Sequence, residues 1–369
     1  MRSHRPLTAG ILIALVVVAL QALLVPLFAG PAASIAPRDL PLALAGPPPA
    51  TAALAAKLRA EHPGAFEITQ VADVSAADRA IRDREVYGAI VLLPPSSGAA
   101  GPASGPASGD AAPAGGAPAP ADGTAQAGGA AAPGGMNAEV HVASAAGPAV
   151  SALLGQAAGP SAKVVDVVPL HPGDPRGTGF GAGFLPLAIT ALLAGVLIFF
   201  VVRGRGARLA ALLTFAVAGG LGGAAVLRGW LDVLPGDYWA VAGVLGLFGL
   251  AVAGAMTGLG AVLDRPGLGL GAVMMFLVGN ALGAVAAVPE LLPQPWGAVG
   301  QALPIGAGAT LLRSVAYFDG NGGLTAAAVL GSYAIGGLLL TALGRRRTAS
   351  TTTEAASTTA AEPEHALVR

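Results

Sequence analysis

The side chains in this sequence best suited to chemistry are five histidines, His4, His62, His141, His171 and His365. Imidazoles hold a divalent cation when they converge at short, regular spacings with a carboxylate or thiolate beside them. These five are scattered, and no His-Glu-x-x-His pattern occurs, so no metal site is expected. The Gly-x-Ser-x-Gly turn that exposes a nucleophilic serine is absent, as is the Gly-x-x-x-x-Gly-Lys-Ser/Thr loop that cradles nucleotide phosphates. Cysteine is absent too, which removes thiolate nucleophiles, thiolate metal ligands and disulfides together. The reading is of a non-enzyme with no catalytic residue, cofactor or metal. If ATP powers anything here, another chain hydrolyses it. His171 falls in His171-Pro-Gly-Asp-Pro-Arg176, whose composition is that of a turn leading into the apolar run behind it.

Inside the apolar runs, the side chain most able to act is Asn280, set between Gly279 and Gly283. An amide at membrane depth either lines a pathway or hydrogen-bonds a neighbouring helix, and Asn280 is the intramembrane polar candidate. Gly219 with Gly223, Gly254 with Gly258, and Gly279 with Gly283 form small-x-x-x-small pairs, which let helix backbones approach closely. Carboxylates and lysines are missing from these runs, which argues against proton- or ion-coupled transport.

The elements that would carry these residues follow from hydropathy. The chain of 369 residues is 54% hydrophobic and only 11% charged, with a mean hydropathy of +0.69. A bilayer core about 30 Å thick needs on the order of 20 apolar residues in a helix. Runs meeting that length without a charge or histidine lie at 8–30, 181–202, 209–227, 239–263, 268–288 and 324–343. The expected fold is therefore a polytopic α-helical membrane protein with about six transmembrane helices and an inserted extracytoplasmic α/β domain. A further uncharged run at 291–312 carries Pro293, Pro295 and Pro304. Broken backbone at membrane depth needs cover from protein or a water cavity, so the segment 289–320 is read as re-entrant or interfacial.

Net charge is zero, 20 basic against 20 acidic residues, so nothing points to nucleic acid as a partner. Placement is more informative. Arg2 and Arg5 precede the first run, Arg203, Arg205 and Arg208 separate the second from the third, Arg265 separates the fourth from the fifth, and Arg345 to Arg347 follow the last. Basic loops favour the cytoplasmic face, so six spans in a cell membrane with both termini cytoplasmic satisfy every cluster. Trp230, Tyr238, Trp239, Trp296 and Tyr317 then mark the opposite interface, where amphipathic rings settle. Residues 1–30 are expected to be an uncleaved signal-anchor helix, because the apolar run exceeds the roughly 7–15 residues of a cleaved signal.

Residues 31–176 form the outer domain in this reading. Strands are expected at 40–45, 66–71, 87–93, 139–143 and 164–170, and helices at 50–62, 75–84 and 148–157, with Ser75 followed by Asp78 as a helix-start signal. Strands joined through helices pair in parallel. The stretch 94–135 collapses into Pro, Gly, Ala and Ser and is expected to be a disordered insertion in a surface loop. Residues 177–347 make a five-helix membrane domain, and 348–369, rich in Ala and Thr, a disordered cytoplasmic tail.

One span, a large outer domain and five further spans with a proline-broken segment before the last resemble the membrane subunits of type-2 ABC exporters. The likeness is to the branch of phage-infection-protein-like membrane proteins and actinobacterial permeases. Residues 39–46, 80–91, 291–296 and 311–319 carry it, and it covers the chain apart from the insertion and tail. It implies a permease-like subunit, a homo- or hetero-dimer in the lipid bilayer, working with a separate ATPase. The connection at 203–208 is short for the helix on which such an ATPase docks, and only 1–7 precede the first run. The alternative is a non-transporting envelope scaffold or receptor-like protein whose outer domain binds partners.

Overall fold

The computed structural model describes residues 36–93, 137–158 and 162–344, together with Val18 and Ala22. The run 8–30 apart from those two residues, the insertion 94–135 and the tail 348–369 lie outside the described residues.

The domain expected outside the membrane, termed the outer domain, is a five-stranded sheet in the order β2-β1-β3-β4-β5. Its strands are β1 (Leu40–Ala45), β2 (Phe66–Val71), β3 (Gly88–Leu93), β4 (Asn137–Val142) and β5 (Lys163–Asp166). The helices between them are α1 (Pro48–Glu61), α2 (Val74–Arg82) and α3 (Pro148–Ala158). Strand β1 pairs in parallel with both β2 and β3, as helical crossovers dictate. Strand β4 runs antiparallel to β3 with Leu93 opposite Asn137, so the ladder holds together the two chain ends that flank 94–136.

Side chains alternate across a strand, and β1 uses the alternation to build two cores. Leu40, Leu42 and Leu44 face Leu54 and Leu58 of α1 and Val150 and Leu154 of α3. Ala43 and Ala45 face Ala77 and Ile81 of α2. Burial on both faces explains why β1 reads as a continuous apolar run.

Two expectations shift. Helix α2 is capped by Asp73, which accepts a 2.7 Å hydrogen bond from the Ala76 amide, and the Ser75 hydroxyl donates to the same carboxylate. The Ser75–Asp78 signal is two residues late because Asp78 is committed elsewhere, to His141. Strand β5 stops at Asp166 instead of running to 170, since Asp166 turns its carboxylate onto the amide and hydroxyl of Ser144.

The rest of the described chain is helical, and four helices are long and apolar enough to cross a membrane. They are α4 (Thr178–Val201); α5 (Arg205–Ala224), prolonged by a π-helical turn to Trp230; α6 (Tyr238–Ala272), prolonged through a π-helical turn at Val273–Val278 into α7 (Gly279–Leu282); and α10 (Leu324–Leu343). Leu185, Ile189, Leu193 and Leu197 form an exposed stripe down α4, and Ile335, Leu339 and Leu343 another down α10. Apolar stripes of this length are stable facing lipid and costly facing water.

The 45 residues of Tyr238–Leu282 would extend about 67 Å as one straight helix, twice a bilayer core. They do not run straight. Asp264 takes a non-helical φ of 56° and ψ of −142°, with Pro266 just after it. Beyond this point the chain folds back: a Cβ on Gly271 would lie 2.5 Å from Met256 Sδ, fifteen residues earlier. Met256, Leu268 and Met275 share one buried cluster. Two limbs therefore lie side by side, 238–263 and 265–282, where the sequence placed two runs. The second limb ends at Leu282 rather than 288, because Gly283 and the positive-φ Ala284 turn the chain out of the helix.

The first limb is the hub. Gly254 and Gly258 meet Gly337 of α10 backbone to backbone, and Gly195 of α4 meets Ala253. Helix α5 approaches through Gly220 against Ala242 and Gly246, while Gly219, expected to make such a contact, touches only its own Phe215. The proline-rich stretch forms a 3₁₀ turn (Pro289–Leu291), α8 (Trp296–Gln301) and α9 (Pro304–Tyr317). Helix α9, 14 residues and about 21 Å long, is too short to span a bilayer core and is buried along most of its length.

Candidate functional site

The proline-broken region supplies both grips on the outer domain. Val288 and Leu291 enter the core on one face of the sheet, and Phe318 enters the core on the other. The backbone amide of Arg38 donates to Glu290 O at 3.0 Å, and the Arg38 guanidinium donates to Leu291 O at 2.8 Å. Between these grips lies a cavity of about 270 Å³.

Its polar wall comes from three places in the chain. The turn after α2 delivers Arg84, at a positive φ of 59°, and β3 begins beyond Tyr87. The 3₁₀ turn delivers Glu290, and α9 delivers Arg313. The Tyr87 hydroxyl donates to Glu290 Oε2 at 2.8 Å. Burial drives the Tyr87 phenol far above its ordinary range, and the Glu290 carboxylate adds to the effect, so Tyr87 is a fixed neutral donor. Burial also lowers the pKa of the half-buried Arg84 guanidinium, and the charge of Glu290 opposes that shift.

Neither guanidinium is in direct contact with a carboxylate among the described residues. Arg84 donates to Thr310 O at 3.4 Å and lies 5.2 Å from the Phe318 ring centre. Arg313, only 6% exposed, donates to Val285 O at 2.8 Å and lies 4.8 Å from the Phe180 ring centre. Among the described residues neither arginine has an acidic oxygen within 4.0 Å. Glu290 is the carboxylate on this wall, and Tyr87 binds it. Gln301 accepts from the Thr310 hydroxyl at 2.7 Å and completes the polar lining on the bundle side. On its other side Arg313 borders a second, more apolar cavity of about 320 Å³ beside Phe180 and Tyr317.

The sequence candidates lie elsewhere. Asn280 is half-buried in α7 and is not on the cavity wall; Gly279 and Gly283 beside it pack against Ile305 of α9. His141 is buried in the sheet, 2.6 Å from Asp78 Oδ1. His171 lies in a turn and approaches Asp232 O at 3.0 Å. Among the described residues no group of three or more His, Asp or Glu could hold a metal.

Arg84, Tyr87, Glu290 and Arg313 were not singled out from sequence. The signal for Arg313 was present: it ends the uncharged run 291–312, and an ionisable residue bordering an apolar segment marks a site when the segment is buried in protein. No protein-family model, curated protein or solved structure matches the chain.

Proposed function

We propose that this protein is the permease-like membrane subunit of an exporter, with six spans, both termini cytoplasmic, acting as a dimer with a separate ATPase. The observation that carries the reading is the seating of the outer domain directly on the outer end of the helix bundle, with a polar, charged cavity in the joint. Val288, Leu291 and Phe318 pack into the two cores of the sheet, contacts that would couple the sheet to movement of the helices. Six spans are supported by the fold-back at Asp264, which makes two apolar limbs where one long helix would be counted, and by the apolar run 8–30. Arg205 and Arg208 support the orientation. Arg208 donates to the carbonyls of Phe199 and Val202 and Arg205 to Gly344 O, so cations collect where α4 and α10 end.

A second reading, an envelope scaffold or receptor-like protein without transport, is favoured by one feature. The connection between α4 and α5 is only 202–204, which leaves no helix there for an ATPase to grip. Purification from the native membrane in mild detergent separates the two. Co-purification of an ATPase subunit with ATP hydrolysis supports the exporter; recovery of outer-domain partners with no ATPase sinks it.

A further inference from the structure

We propose that the cavity between the outer domain and the helix bundle is an anion site for a phosphate-bearing headgroup, with Arg84 and Arg313 as its cationic wall. Removing a guanidinium from water costs several kcal/mol unless an anion or dense hydrogen bonding replaces the lost hydration. Here two guanidiniums border one cavity, each satisfied by a single backbone carbonyl and an aromatic face, and neither is paired with a carboxylate among the described residues. Glu290, which accepts from Tyr87 and acts on Arg84 through its charge, offsets one of the two cations and leaves a net charge of about +1 on the wall. Unpaired guanidinium forks suit phosphate oxygens, which they bind through two parallel N–H donors.

Size and depth narrow the ligand. At about 270 Å³ the cavity falls just below the roughly 300–1,000 Å³ typical of drug-sized ligands, which admits a phosphate with a small polar substituent and leaves no room for acyl chains. It also lies at the bundle end marked by the exposed Trp230, Trp239 and Trp296, the level at which lipid phosphates lie. The shared chemistry is a phosphate mono- or diester of net negative charge, with no cationic substituent beside the phosphate, whether on a lipid or free in solution. The site stands whether or not the protein transports.

The test uses the full-length chain in uncharged detergent, with its thermal melting followed during titration with short-chain phosphatidylglycerol, short-chain phosphatidylcholine or inorganic phosphate. A saturable rise in Tm with phosphatidylglycerol but not phosphatidylcholine identifies an anionic lipid headgroup. An equal rise with inorganic phosphate identifies a free phosphate. Arg84→Gln should weaken the effective probe about tenfold or more, as expected for loss of a charged hydrogen-bond donor. Glu290→Gln should tighten it several-fold by removing the one repelling charge. That gain is the arm a merely structural role cannot imitate, because the change weakens the Tyr87 hydrogen bond to a neutral acceptor and by itself would loosen the joint. The proposal is overturned if no probe gives a saturable shift, if phosphatidylcholine acts as strongly as phosphatidylglycerol, or if Glu290→Gln weakens binding.

Discussion

Individual side chains in the outer domain are tied by short polar contacts whose loss is costly. His141, 4% exposed on β4, meets Asp78 of α2 at 2.6 Å and has Glu139 Oε2 3.7 Å from its other nitrogen. Asp78→Ala leaves that buried imidazole without its near partner and should destabilise the protein by about 1–3 kcal/mol, read as a lower urea midpoint. Asp78→Asn, which keeps an acceptor, should recover part of it. Two carboxyls in the domain are held below their ordinary pKa values. The Ser75 hydroxyl and Ala76 amide hold Asp73 below its ordinary 3.8, and the hydrogen bond from Lys163 holds Glu139 below its ordinary 4.5. A carboxyl whose folded pKa is depressed adds stability above its unfolded value and gives it up as pH falls through the folded one. Melting temperature should therefore be flat from neutral pH to about 5 and decline below about 4. Doubling Asp73→Asn with Glu139→Gln should flatten that decline; an unchanged acid limb would show that other groups set it.

At the scale of elements, the bundle is organised by where glycine lets backbones touch. A Cβ on Gly337 would sit 2.3 Å from the Gly254 carbonyl carbon, and backbone there has no room to retreat. Its neighbour Gly336 meets nothing within 4 Å. Gly337→Val should therefore cost about 1–3 kcal/mol, as overpacking does, and lower the melting temperature in detergent. Gly336→Val, equal in helix propensity and in added apolar surface, should leave it nearly unchanged. Similar losses from both would mean that valine's own helix preference, and not the α6–α10 contact, is being measured. The fold-back at Asp264 obeys a related logic. A positive φ at Asp264 and a proline two residues later break the helix, and Gly267 admits the reversal by passing against the Leu259 carbonyl.

For the molecule as a whole, the described residues of the sheet and the bundle meet at one end of the bundle, and a set of arginines marks the other. Arg203 lies in the connection between α4 and α5, Arg205 and Arg208 in the first turn of α5, and Arg265 at the fold-back of α6, all at the opposite end. With no native cysteine, single substitutions report the sides directly. Ser75→Cys, exposed on α2, should react with an impermeant maleimide in intact cells, and Arg203→Cys only after permeabilisation. Labelling of Arg203→Cys from outside would reverse the orientation.

The elements of the outer domain were legible because each strand and helix shows its own period in sequence, and all five strands and three helices appear, with the α2 cap shifted to Asp73 and β5 ending early at Asp166. The apolar runs were legible for the same reason, since transfer of a helix into lipid is a property of about 20 consecutive residues. Sequence also placed a break between 263 and 268, where Asp264 and Arg265 interrupt the hydropathy. Contacts between segments were another matter. Gly219 and Gly220 are indistinguishable as a pattern, and only the rotation of α5 against α6 decides that Gly220 is the one in contact. The cavity wall joins residue 84 to residues 290 and 313, and nothing local to any of them records the others. Long-range neighbours are chosen by the packing of already formed elements, so a buried arginine pair without a carboxylate becomes visible only when the outer domain is seated on the bundle.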